Sequence, residues 1–170
     1  MKFKSLIFCL SLVLISCSSE DDSFNSMLEG RSYMMTAFTI ETPVDVNNDG
    51  IYSFNLIEED TFGCQNMNRL SFMNGTSSAP IEYGPILRIT ENNTQDMGCY
   101  VIDYFAALEY TVDVDMMTVN VAGFIGEISG NMIIFRPNNS QLDSLGEILL
   151  QDGSVETYDG NYVLEFTLIQ

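Results

Sequence analysis

Asp45, Asn47 and Asp49 stand at alternate positions of one short stretch, followed by Gly50 and Ile51. Alternate oxygens of this kind can turn inward around a hard cation. A glycine at the sixth position permits the sharp turn, and the seventh residue can add its main-chain carbonyl. The stretch is therefore a candidate calcium site formed by Asp45, Asn47, Asp49 and Ile51, with Ser53 as a further oxygen. A calcium loop of this spacing carries a bidentate glutamate at its twelfth position, where this chain has Leu56; Glu58 and Glu59 follow it. Four protein oxygens fall short of the about six to eight that calcium prefers, so only weak binding is expected. The same residues also make a self-hydrogen-bonded turn without any ion, and that plain turn is the leading expectation. The chain has no histidine. That removes the commonest general base and excludes Ser-His-Asp and Cys-His arrangements. Asp113 and Asp115 could serve as an acid and base pair in hydrolysis. They alternate with apolar residues, however, which places them on a wet strand face. No catalytic residue is assigned, and the chain is read as a non-enzyme.

The four cysteines divide by position. Lys2 and Lys4 precede an apolar run from Leu6 to Ile15, a short secretory signal by charge and length. Leu14-Ile15-Ser16-Cys17 resembles the lipobox of bacterial lipoproteins. That resemblance implies that residues 1–16 are removed and that Cys17 becomes the first residue, carrying a diacylglycerol that anchors the chain in a lipid bilayer. Ser18-Ser19-Glu20-Asp21-Asp22-Ser23 contains nothing that can bury, so residues 17–27 read as an acidic, disordered tether. The stretch also resembles the acidic signal behind the lipidated cysteine of surface-exposed lipoproteins of Bacteroidota. The implied location is the cell-surface leaflet of the outer membrane. Cys9 leaves with the signal, and Cys64 and Cys99 remain. An even pair in an exported domain suggests a disulfide. It would close a loop of about 35 residues and contribute roughly 4 kcal/mol in the loop-entropy treatment.

The formal charge of −18 becomes −20 once Lys2 and Lys4 are lost, leaving Arg31, Arg69, Arg88 and Arg136 as the basic side chains. Such a surface repels nucleic-acid phosphates and anionic headgroups, so nucleic acid is not an expected partner.

Residues 28–170 are enough for one domain with its own core. Strands are expected at Ser32–Thr42, Asn68–Met73, Ile81–Tyr83, Ile86–Thr90 and Cys99–Phe105. Others are expected around Leu108–Val114 and Met117–Val121, and at Asn131–Arg136, Glu147–Leu150, Val155–Tyr158 and Tyr162–Leu168. Ile51–Glu59 fits a helical turn or a strand edge equally well. From Leu108 the alternation is strict, with Leu108, Tyr110, Val112 and Val114 on one face and Glu109, Thr111, Asp113 and Asp115 on the other. A period of two with this contrast means a sheet with one wet face. About eight to ten short antiparallel strands and no long helix make an all-β barrel or sandwich. Leu70, Phe72, Tyr110, Phe166 and Leu168 would face inward, lining either a solid core or a small apolar ligand cavity.

The order of an early strand, Asp45-x-Asn47-x-Asp49-Gly50, Cys64, a strand ending in Asn74-Gly75-Thr76, and Cys99 resembles the lipocalin-like lipoproteins of Bacteroidota. Tyr33 stands where that family usually has a tryptophan. The resemblance implies a lipocalin-like antiparallel β-barrel. The expected function is a lipid-anchored accessory protein of the envelope, or one that binds a small apolar ligand. The alternative is a solid structural subunit that docks another envelope protein.

Overall fold

The computed structural model describes residues 27–61, 63–64, 67–101, 107–137 and 145–170. Cys17, the signal at 1–16 and all of the tether except Met27 lie outside the described residues. In chain order the strands are β1 (Ser32–Val44), β2 (Ser53–Asn55), β3 (Arg69–Met73), β4 (Thr76–Ser77), β5 (Tyr83–Ile89), β6 (Gln95–Val101) and β7 (Leu108–Asp113). They continue with β8 (Thr118–Val121), β9 (Phe124–Ser129), β10 (Met132–Phe135), β11 (Glu147–Leu149), β12 (Val155–Thr157) and β13 (Tyr162–Leu168). One helical turn, α1 (Leu56–Glu59), follows β2.

Eight of these strands close an antiparallel barrel in the order β1-β3-β4-β7-β8-β9-β10-β13, and β13 returns to β1. Around the wall each strand pairs with the next one in the chain, skipping only the insertions. The expected all-β antiparallel barrel is therefore the fold. Closure removes the free edges that an open sheet would expose. The closing seam runs from Tyr33 opposite Leu168 to Ile40 opposite Tyr162.

A bulge between Met35 and Ala37 interrupts that seam. The extra residue, Thr36, stays outside and bonds Thr167 hydroxyl to hydroxyl at 3.0 Å. It also shifts the phase of the strand. Tyr33 and Met35 face inward before the bulge, and Phe38 and Ile40 after it. One inserted residue keeps both halves of β1 on the same core.

The two ends of the barrel differ. At the near end, where β1 begins and β13 ends, the wall strands are joined by short turns at Asn74–Gly75, Val114–Met117 and Gly130–Asn131. Asn74 and Gly75 both have positive φ, 55° and 74°, as a two-residue hairpin of this hand requires. The turn at 27–30 closes this end. Leu28 is fully buried there, and the Gly30 N–H donates to the Phe72 carbonyl at 2.9 Å. The far end carries the long connections: residues 45–68 with β2 and α1, the β5–β6 hairpin, and the β11–β12 hairpin.

Several strand limits differ from the expected ones. β1 passes through Pro43 to Val44, where the prolines lack of an N–H falls beyond the β13 pairing. Ile81–Tyr83 and Ile86–Thr90 are not two strands. β5 is continuous through Gly84 and Pro85, and Pro85 pairs opposite Cys99 in a two-stranded hairpin. β6 begins at Gln95, so Cys99 lies within a strand and does not open one; residues 102–106 lie outside the described residues. Ile51–Glu59 contains both alternatives. The Asn55 side chain accepts from the Ile57 N–H at 3.2 Å, stopping β2 and capping α1.

Candidate functional site

The barrel interior is the first candidate. Leu70, Phe72, Tyr110 and Phe166 are all buried inside, and Leu168 is half-buried against the same core. Aromatic rings occupy much of this space. Phe72 meets Tyr110 edge-on at 4.8 Å between centroids and Tyr33 at 6.1 Å. Phe135 meets Phe166 at 5.9 Å, and Phe38 stacks on Tyr162 at 5.5 Å. Gly126 shows how full this section is. A Cβ added there would lie 2.7 Å from Phe135 Cε1 and 2.8 Å from Ile133 Cγ2. The glycine gives its volume to the Phe135 ring, the complementary small-and-large packing expected of an eight-stranded barrel filled by its own side chains.

Polar groups punctuate this core. The Tyr110 hydroxyl donates to Glu29 at 3.4 Å. Burial first, then the charge of Glu29 and the hydrogen bond to it, push the phenol up to about 12. Glu29 also accepts from the N–H groups of Asn74 and Gly75, fastening the entering chain to the β3–β4 hairpin. The hydroxyls of Tyr33, Ser77 and Tyr162 are buried with no hydrogen-bond partner. Burial, and then the neighbouring Tyr100 and Tyr158, raise the Tyr162 phenol above its ordinary value.

The far end is the second candidate, and its polar side chains join separate insertions. Gln95 is buried between the two hairpins. Its amide donates to the carbonyls of Arg88 at 3.1 Å and Glu147 at 3.0 Å, and its oxygen accepts from the Leu149 N–H at 2.6 Å. The Leu87 N–H donates to the Leu145 carbonyl at 2.6 Å beside Gly146. A Cβ on Gly146 would stand 2.0 Å from the Leu87 carbonyl oxygen, so only glycine permits the two backbones to meet. Asn68, also buried, accepts from the N–H groups of Glu82 and Tyr83 at 2.8 and 2.9 Å and donates to the Tyr83 carbonyl at 2.8 Å. The Cys64–Cys99 disulfide, with Cα atoms 5.9 Å apart, pins the 45–68 connection to β6. The pairing expected from the sequence is thus present, as a loop-to-strand bridge.

The candidate calcium loop belongs to the same end. Asp45 accepts from the N–H of Asp49 at 3.0 Å and of Gly50 at 2.9 Å, and Asn47 accepts from Asp49 N–H at 2.9 Å. Asp49 accepts from Ile51 N–H at 2.8 Å. Asn48 reaches outward and donates to the Gln95 carbonyl at 3.2 Å, tying the loop to β6. This is the self-bonded Asx turn. Ser53 donates to Glu58 at 2.8 Å and does not turn toward the loop. Glu59 is buried beneath it and accepts from the N–H groups of Val46 at 3.0 Å and Asn47 at 3.3 Å. Burial raises its carboxyl above the usual range, the two N–H groups oppose that, and Asp45 and Asp49 add to it. Among the described residues no group of three or more acidic or cysteine side chains is gathered as a metal site. Asp113 and Asp115 are both exposed at a near-end turn, where Asp113 accepts from the Met116 N–H at 3.0 Å.

The sequence does not single out Gln95 or Asn68, and it offers Glu59 only as an acid that follows Leu56. The one available signal was a polar residue inside an otherwise alternating stretch, which a turn produces equally well. No family model, curated protein or solved structure matches this chain.

Proposed function

We propose that this chain is a lipocalin-like lipoprotein of the bacterial outer membrane. In this reading it is tethered to the cell-surface leaflet through acylated Cys17 and acts as an accessory module that docks another envelope protein. Close packing at one section of the barrel supports the accessory part of this reading. Phe135 leaves no room even for a Cβ at Gly126, and Phe72 and Tyr110 make a separate ring contact nearer the other end. The lipobox and the acidic stretch behind it support the anchor and the leaflet. A rigid body with its long insertions gathered at one end suits presentation to a partner.

Two measurements test this. Cys17→Ala in the chain without residues 1–16 should abolish partition into the detergent phase, since the acyl chains supply ~0.8 kcal/mol per buried CH₂. A variant that still fractionates with membranes at high salt would remove the anchor. Native mass spectrometry of the soluble Cys17→Ala protein should give the bare polypeptide mass. A stoichiometric apolar adduct would instead favour the second reading, a carrier of a small apolar ligand. The observation on that side is the set of buried, unpartnered hydroxyls on Tyr33, Ser77 and Tyr162, which could meet a ligand's polar group.

A further inference from the structure

We propose that the near end of the barrel rests in the headgroup region of the bilayer, with Met73, Met116, Met117 and Ile169 as its apolar contacts. This rests on anchoring through Cys17.

The topology carries the argument. Met73 ends β3, Met116 and Met117 form the β7–β8 turn, and Ile169 follows β13, so all four belong to the end where the chain enters at Met27. They are large apolar side chains left 61%, 72%, 39% and 48% exposed. They occupy one continuous arc of this rim, which leaves out the β9–β10 turn. β13, β3 with β4, and β7 with β8 follow one another around the barrel with β1 between the first two. The connections at this rim are tight turns, so no long loop holds it away from a flat surface. The ten residue steps from Cys17 to Met27 reach at most ~36 Å, and they join the barrel at this same rim. A lipid on Cys17 therefore brings these side chains to the bilayer first. Unbranched methionines adapt to an irregular, partly apolar layer.

Charge selects the surface. Glu29, Asp113 and Asp115 stand at this end with Arg31. Glu29 and Asp113 point an oxygen at backbone N–H groups of the neighbouring turns. The excess of acids opposes an anionic surface, so the matching one is zwitterionic.

Methionine oxidation reads this contact directly. The lipid-modified protein is bound to phosphatidylcholine vesicles and exposed to hydrogen peroxide, and sulfoxide is quantified by peptide mass. The Cys17→Ala protein in solution is the reference. Met67, 48% exposed on the far-end connection, is the internal control. Oxidation of Met73 and Met116 should slow about fivefold or more on vesicles, while Met67 reacts equally in both samples. Met73 and Met116 reacting on vesicles at their solution rate would overturn the proposal. So would equal protection in the soluble variant, which would mean that a second copy covers the rim. Flotation of the vesicles tests anchoring separately: lipid-modified protein that fails to float refutes the anchor, whereas floating protein with fully reactive Met73 and Met116 refutes the docked rim alone.

Discussion

Replacing Gly126 with alanine tests the solid interior. In a sheet, exchanging glycine for alanine where the backbone permits it stabilises by roughly 0.4–1 kcal/mol, because the unfolded chain loses freedom. Gly126 has no positive φ to forbid the change. The packing opposes it. The new methyl would lie 2.7 and 2.9 Å from two atoms of the Phe135 ring and 2.8 Å from Ile133. Ordinary carbon contacts need about 3.5–4.0 Å. Phe135 and Ile133 are both fully buried, and Phe166 packs edge-on against the Phe135 ring, so neither has an easy retreat. Overpacking of this kind typically costs about 1–3 kcal/mol, which outweighs the backbone gain. The net loss should be roughly 1–2 kcal/mol, and Tm should fall by about 3–8 °C for a domain of this size. Gly98 provides the paired control. Its added Cβ meets Ile86 at 3.7 Å and Arg88 at 3.9 Å, ordinary distances, so Gly98→Ala should leave Tm unchanged or raise it slightly. Thermal melts followed by circular dichroism, with urea titrations to check that m is constant, compare the two variants. If Gly126→Ala melts at or above the wild type, Phe135 has somewhere to go. The barrel would then hold free volume, and the reasoning for a filled interior would fail.

Gln95→Ala strands the Leu149 N–H and two carbonyls between the hairpins, and should cost roughly 2–4 kcal/mol. Hydrogen exchange should rise first in β11 and β12, and uniform exchange across the barrel would contradict this account. Burial raises the Glu59 carboxyl, so the folded state favours its protonated form. Its favourable contribution is present below the unfolded titration and is lost as pH rises through the higher folded one. Glu59→Gln should therefore match or exceed wild-type stability at neutral pH, with the advantage vanishing in mild acid. A variant equally destabilised at every pH would refute the sign. Asp45, Asn47 and Asp49 close the loop by their own hydrogen bonds, and among the described residues no third acid is gathered with them as a metal site, so melting curves in chelator and in millimolar calcium should coincide. A rise of about 2–4 °C that disappears in Asp49→Ala would instead establish a weak site.

The barrel was legible wherever one strand face is wet. β7, β8 and β13 follow the alternation of Tyr110 and Val112, Val119 and Val121, and Leu164 and Phe166, because a single inward face imposes it. Asn74-Gly75 fixed one hairpin by the positive φ it permits. β1 was harder, because the bulge moves its inward positions from Tyr33 and Met35 to Phe38 and Ile40. β6 begins earlier than its sequence suggests, because Gln95 and Asp96 look like turn residues. Gln95 is buried with its amide satisfied by Arg88 nearby and by Glu147 and Leu149, more than fifty residues later. No local pattern contains that information. The same limit hides the role of Glu59, which depends on two N–H groups more than ten residues earlier. The disulfide was legible from count alone, since the described fold had only to bring two cysteines together.

The seam between β1 and β13 has a consequence for how the domain is made. It joins residues such as Tyr33 and Leu168, near opposite ends of the domain sequence. Most other wall pairs form between strands adjacent in the chain and can assemble as each hairpin arrives, whereas the seam waits for the last strand. Until then the growing sheet has two open edges, one of them the long, apolar β1. A chain crossing a membrane from its first residue onward would hold that edge exposed through nearly the whole passage, when pairing with another copy is most hazardous. Once closed, Ser32 and Gln170 are backbone hydrogen-bonded at 2.9 Å. The start and finish of the barrel are then neighbours, so a circular permutant could join them directly and place its new ends in a far-end hairpin. In such a permutant the former seam would become a local pairing, and the burden of late closure would pass to a different pair of strands.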